Sequence, residues 1–286
     1  MKKSPTKYFI FIGLLFSSMS SMFIRIIDAP AIKIATYRLI AASFFFMIPF
    51  TVNCFRNKST LSKKGVILAM VSGFFLAGHF ATWISSLSYT TVSSSTVLVS
   101  LSPLFVASYN VIVLKERVLK IQIIGILVTI IGAVIISAGD FKISGDAIFG
   151  DFLAFLGAIF VAGYLIIGRN VRKNMALVDY VFVTYSSSAI LLLALSVFLK
   201  IDLSFSSATN LTLMITHGLV SSGLGHTIYN WMLQYTTSTF VSTATLGEPV
   251  IASVMAYTFL NETPTLQTII GGIIVIAGLY VFTRNS

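Results

Sequence analysis

Two ionisable residues stand inside apolar stretches of this chain, Arg38 and Glu248, and two histidines, His79 and His226, each follow a glycine in matching places 147 residues apart. Arginine stays ionised in almost any protein environment, so Arg38, about seven residues in from the end of its apolar run, needs an anion, carbonyl oxygens or water. It is either half of a structural ion pair or an anion-binding group. Glu248 directly precedes Pro249. A carboxylic acid in the middle of an apolar span costs several kcal/mol unless it is paired, hydrated or protonated. It is therefore a neutral acid bonded to a neighbouring helix, or a group that touches a substrate or carries a proton. Pro249 removes a backbone donor and frees a carbonyl, which would lie beside that acid. The two histidines are satisfied interior groups or contacts for a substrate or proton, with Trp83, Tyr229, Asn230 and Trp231 near them for stacking and hydrogen bonding. No carboxylate or further histidine stands at ligand spacing, so no metal site is expected, and no cofactor is implied.

The elements that hold these residues follow from composition. Of 286 residues, 56% are hydrophobic and 10% charged, which places the chain in a bilayer. A hydrocarbon core about 30 Å thick takes roughly 20 apolar residues per helical span. Runs of that length lie near 8–24, 31–51, 65–86, 91–113, 121–138, 151–168, 178–199, 209–233, 238–260 and 265–283. The expectation is an all-α, polytopic protein with ten transmembrane helices, multi-pass in the cell membrane and without a soluble domain. Lys2, Lys3 and the run 8–24 look like the opening of a signal peptide, but no small-x-small cleavage site follows. Gly13 and Arg25 also match Gly157 and Arg169 at an offset of 144, so this run is taken as a retained helix.

The net charge of +10 would suggest nucleic acid in a soluble protein. Here the basic residues lie between spans. Lys2, Lys3, Lys7, Arg56, Lys58, Lys63, Lys64, Lys115, Arg117, Lys120, Arg169, Arg172, Lys173 and Arg284 fall on one side, against Arg25, Lys33, Lys142 and Lys200 on the other. That asymmetry implies both termini inside, an N-in/C-in chain. Nucleic acid is not an expected partner. The single cysteine, Cys54, excludes an internal disulfide and a cysteine-based metal site.

The chain is also written twice. Tyr89-Thr90-Thr91, Pro103 and Leu114-Lys115-Glu116 return as Tyr235-Thr236-Thr237, Pro249 and Leu260-Asn261-Glu262, each displaced by 146 residues. Residues 139–149, with Asp140, Lys142 and Asp146, read as an exposed turn between the copies. Five spans per copy is an odd number, so the five-helix repeats 1–139 and 140–286 are inverted. That is the architecture secondary transporters use for alternating access. Ser93 to Thr96, Ser100 and Ser102 make the helix around Pro103 interior, and both prolines are packed kinks or cavity-lining kinks that move. Glu116 and Glu262 are assigned to capping and ion pairing or to gating. Gly125 and Gly132, and Gly271 and Gly278, are spaced by two helical turns, so each pair offers one face for close packing, within the chain or in a homodimer.

With Tyr37-Arg38-Leu39-Ile40-Ala41-Ala42, Ser102-Pro103 before Leu114-Lys115-Glu116-Arg117, and Glu248-Pro249 before Leu260-Asn261-Glu262, the chain resembles the EamA-type transporters of the drug/metabolite transporter superfamily over essentially its whole length. Asn261 stands where the family often has glycine. The resemblance implies ten helices, with the first, third, fourth, sixth, eighth and ninth around a central cavity and the fifth and tenth peripheral. It also implies a small-molecule substrate, often an amino acid or related compound and often carried outward, with protons as a candidate coupling ion. A membrane sensor or assembly factor, or an intramembrane enzyme, is the alternative. An enzyme would need a constellation such as HExxH, GxGD or GxSG with a paired histidine, and the sequence contains none of these.

Overall fold

Inside a bilayer every backbone donor and acceptor must be met by the chain itself, so apolar runs of this length form helices. The computed structural model describes residues 8–90, 92–115, 119–137, 145–205, 207–260, 263 and 265–284. Among the described residues all regular structure is helical: α1 (Ile10–Ile26), α2 (Ala31–Phe55), α3 (Lys63–Ser86), α4 (Val92–Val99), α5 (Ser102–Ile112), α6 (Lys120–Ser137), α7 (Gly145–Arg172), α8 (Leu177–Phe198), α9 (Ala208–His217), a π-helix (Gly218–His226), α10 (Thr227–Met232), α11 (Ser238–Ala244), a 3-10 turn (Thr245–Gly247), α12 (Glu248–Leu260) and α13 (Leu266–Arg284). Seven helical stretches are long and apolar enough to cross a membrane, and Ile10–Ile26 and Lys120–Ile136 are shorter apolar helices. Of the turn expected over 139–149, residues 139–144 lie outside the described residues, and from Gly145 the chain is already helical, as α7. Asp146 in its first turn complements the helix dipole there.

The distribution of side chains is that of a protein solvated by lipid. On α2, Phe44, Ile48 and Phe55 are 62%, 69% and 84% exposed, while Arg38 is 1% exposed. Large exposed apolar faces of this kind belong against hydrocarbon.

The chain divides into two compact units, residues 1–81 with 163–236 and residues 82–162 with 237–286, so α3 and α7 contribute to both. In the first unit α2 and α8 run antiparallel. Thr36 meets Ser196 at 2.9 Å and Ser43 meets Ser186 at 2.6 Å, and Phe50 stacks on Phe182 at 4.2 Å. Positions 36, 43 and 50 are spaced by two turns and so share one face of α2. α3 runs parallel to α8, with the Thr184 hydroxyl donating to the Ala69 carbonyl and that of Ser188 to Gly73. Such interhelical bonds contribute about 0.6 kcal/mol each in a membrane. At one end of this unit, Asp179 Oδ2 accepts from the Thr60 N–H and the hydroxyls of Thr60 and Ser59, which ties the α2–α3 loop to the start of α8. At the other end, Lys33 Nζ donates to the Ser204 carbonyl and Tyr37 to that of Leu203. There the Ser204 N–H, then its hydroxyl, hold the exposed Asp202 carboxyl below the usual carboxylate range.

The second unit is built on α6 against α13. Gly125 faces the Gly278 carbonyl and Gly132 faces that of Gly271, with Val275 and Phe282 buried beside them. Asn110 on α5 donates to Ser238 and Thr239 on α11 at 3.1 and 2.8 Å, and Thr90 donates to Asp151 at 2.7 Å.

Candidate functional site

The polar interior of the first unit is organised around Arg38. Its Nε donates to Ser222 Oγ at 2.7 Å and one terminal nitrogen to Ser20 Oγ at 2.9 Å, and its guanidinium carbon lies 4.0 Å from the centre of the Phe80 ring. A guanidinium over an aromatic face gains cation–π attraction. The π-helix can approach α2 and α1 this closely because its facing residues are small. A methyl group added at Gly218 would lie 2.4 Å from the Arg38 carbonyl oxygen, and one added at Gly225 would lie 2.8 Å from Ser17 N.

His226 joins the cluster through Phe80, its ring edge-on at 5.3 Å, and lies 5.6 Å from Tyr229. Tyr229 meets Ser17 Oγ at 2.5 Å. From Ser222 the hydrogen bonds continue. Tyr185 donates to the Ser222 carbonyl at 3.2 Å and meets Thr227 at 3.0 Å, Asn230 Nδ2 donates to Tyr185 at 3.2 Å, and Tyr164 donates to Asn230 Oδ1 at 2.7 Å. Arg38, His226, Tyr229 and Asn230 are thus brought together. His79 is buried next to Phe80, the ring that both Arg38 and His226 contact.

Trp83 belongs to the second unit and packs beside Gly157. Trp231 turns away from the neighbouring Asn230 and packs against Phe9 and Tyr235, both at 5.3 Å. Helical geometry explains this, since adjacent residues project about 100° apart.

Pro103 and Glu248-Pro249 also belong to the second unit. The helix around Pro103 is interrupted at Ser100 and Leu101, and the proline occupies the first turn of α5, where a missing N–H costs least. Pro249 takes the equivalent place in α12. The Thr245 carbonyl does not lie free beside the acid, because the Glu248 N–H bonds to it in the 3-10 turn. Glu248 is half-buried in the first turn of α12, where the helix dipole favours a carboxylate. Glu116 and Glu262 lie outside the described residues.

One member of the cluster has no counterpart in the sequence reading. His217, fully buried, meets Ser20 Oγ through Nε2 at 2.9 Å and stacks on Phe23. Nine residues separate it from His226, which in an α-helix of 3.6 residues per turn is 2.5 turns and places the two on opposite faces. The π-helix between them, closed by i→i+5 bonds, takes up nearly one residue more per turn, so nine residues make about two turns. His217 and His226 then share the face that Ser222 presents to Arg38. Gly218, Gly223 and Gly225 in one nine-residue stretch were the available signal of an irregular helix.

A helical, lipid-solvated chain with a buried polar cluster set into its spans is a multi-pass integral protein of the cell membrane. The model of the EamA-like transporter family matches twice, over residues 6–138 and 148–284, and the chain belongs to that family. It is a membrane transporter and not an enzyme. An uncharacterized transporter of Archaeoglobus fulgidus is 26% identical over 99% of both chains. The pseudopaline exporter CntI of Pseudomonas aeruginosa is 22% identical over 79% of this chain and 78% of its own. A crystal structure with 14% identity superposes with a TM-score of 0.81 over 98% of this chain and 96% of that one, a likeness of fold.

Proposed function

We propose that the protein is a secondary transporter that moves a small metabolite, an amino acid or related compound, out of the cell by alternating access. The observation that carries this reading is the Arg38–Ser222–His226–Asn230 cluster: a charge and an imidazole held at defined distances inside apolar spans, where polar groups mark substrate pathways. Two successive matches to one family model support inverted five-helix repeats, 1–139 and 140–286, around a cavity lined by both. On this reading the seven long spans, the two shorter apolar helices and the segment that contains the π-helix are counted as the ten crossings. The name of the Pseudomonas relative supports the outward direction. Glu248 and protons are the proposed coupling pair, and a homodimer is the proposed assembly.

Untargeted metabolite profiling of cells lacking and overproducing the protein, followed by flux of the identified compound into liposomes, tests the reading. Overproduction is expected to lower the intracellular level of the exported compound and raise it in the medium. Glu248→Gln is expected to retain substrate exchange but to lose accumulation against a gradient. Wild-type accumulation in that variant removes Glu248 from the coupling step.

Orientation has its own test. Cys54 is exposed near the end of α2, and with both termini inside it faces the cytoplasm. A membrane-impermeant maleimide is expected to label it only after permeabilisation. Labelling in intact cells reverses the proposed topology.

A further inference from the structure

We propose that the cluster around Arg38 is an oxyanion site in which Arg38, His217, Ser221 and His226 bind a carboxylate of the transported molecule; this rests on reading the cluster as the transport site. Three buried polar atoms in this region have no hydrogen-bond partner: Nδ1 of His217, Nδ1 of His226 and Oγ of Ser221. Their neighbours are satisfied. Ser17, Ser20, Ser222 and Thr227 all use their hydroxyls. A buried polar group left unbonded is costly, so an unbonded trio within one helical segment calls for a ligand or ordered water.

The spacing shows why the three belong together. Residues 217, 221 and 226 are four and five apart, which is about one π turn each time, so the end of α9 and the π-helix that continues it carry all three along one face. In an α-helix His226 would point to the far side. Ser222, next to Ser221, anchors the same stretch to Arg38.

The chemistry of the groups selects the ligand. A hydroxyl and two imidazole nitrogens can each donate a hydrogen bond, and a carboxylate accepts at about four lone-pair positions. Arg38 supplies a permanent positive charge that a carboxylate complements and a cationic ligand opposes. A deliberately unbonded group also has a signature in stability. Removing it relieves the empty site and weakens the occupied one.

The test uses the purified full chain in nanodiscs and follows thermal unfolding with the proteinogenic amino acids, succinate and citrate, the amides of these compounds, inorganic phosphate and a sugar phosphate. At least one carboxylate is expected to raise the unfolding temperature while its amide does not. Ser221→Ala is expected to unfold at the same or a higher temperature without ligand and to bind that carboxylate roughly tenfold more weakly, the loss of one hydrogen bond to a charged group. The proposal is overturned if no carboxylate stabilises the protein, if amides do so equally, if only the phosphates do, or if Ser221→Ala binds as wild type does. Metabolite profiling separates this from the transport reading. Export of a compound without an acidic group ends the carboxylate site and leaves the transporter; no exported compound at all ends the transport reading.

Discussion

Arg172→Ala is expected to deprive the membrane of most of its folded protein, although Arg172 touches neither Arg38 nor the histidines in the site described above. The guanidinium is 2% exposed and makes three kinds of bond: Nε to the Asn230 carbonyl at 3.1 Å, one terminal nitrogen to the Met175 carbonyl, and the other to Gln234 Oε1 at 2.7 Å. It closes the end of α7, holds the turn before α8 and bonds the Asn230 carbonyl in the last turn of α10, where a cation also suits the helix dipole. Removing it leaves the Asn230 and Met175 carbonyls buried without that donor. Hydrogen bonds to a charged group contribute about 1.5–3 kcal/mol each, so the loss is on the order of 3 kcal/mol or more. The readout is the amount of monodisperse protein after extraction and its unfolding temperature. Arg172→Lys is expected to recover only part of the loss, because an ammonium cannot reproduce a planar fork that serves separate acceptors. Lys173→Ala, at an exposed neighbour, serves as the control and should behave as wild type. Full recovery by lysine would show that charge alone matters at this position.

Arg172 also shows which parts of the molecule the sequence could disclose. Among the basic residues between spans it read as one more inward-facing charge, because counting charges says nothing about which of three adjacent side chains turns into the protein. The helices were legible because a bilayer demands about 20 apolar residues in a row, a signal that survives any detail of packing. Arg38 was legible for the same reason, as a charge where lipid tolerates none. His217 was not. Its relation to His226 depends on nine residues winding as a π-helix, and the α-helical period would have separated the pair. Trp231 was grouped with the histidines by closeness in sequence, whereas the turn of the helix sends it toward Phe9. Glu248 read as an acid in mid-span because the run 238–260 looks continuous. A 3-10 turn breaks it and leaves the acid at a helix start.

Gly132→Leu is expected to open the seam between α6 and α13 and to lower stability. A methyl group at Gly132 would already lie 2.7 Å from Val275 N and 2.8 Å from the Gly271 carbonyl, and one at Gly271 would lie 2.6 Å from the Gly132 carbonyl. These neighbours are backbone atoms of a rigid helix, so no side chain can swing aside. Helices in lipid associate largely through close packing, since the surroundings are as apolar as the interface itself. Pushing the two apart would cost the contacts of Val275 and Phe282, both buried there. Gly132→Ala is expected to cost about 1–3 kcal/mol as overpacking, and leucine more, read as a fall in unfolding temperature after extraction. Gly272→Ala is the matched control. Gly272 has only Val250 methyl groups near it, at 3.8 and 3.9 Å, and should tolerate the change. The four glycines face one another within the chain, so the oligomeric state on a native gel should not respond to Gly132→Leu. A change of oligomeric state at unchanged unfolding temperature would assign the glycine face to a contact between copies.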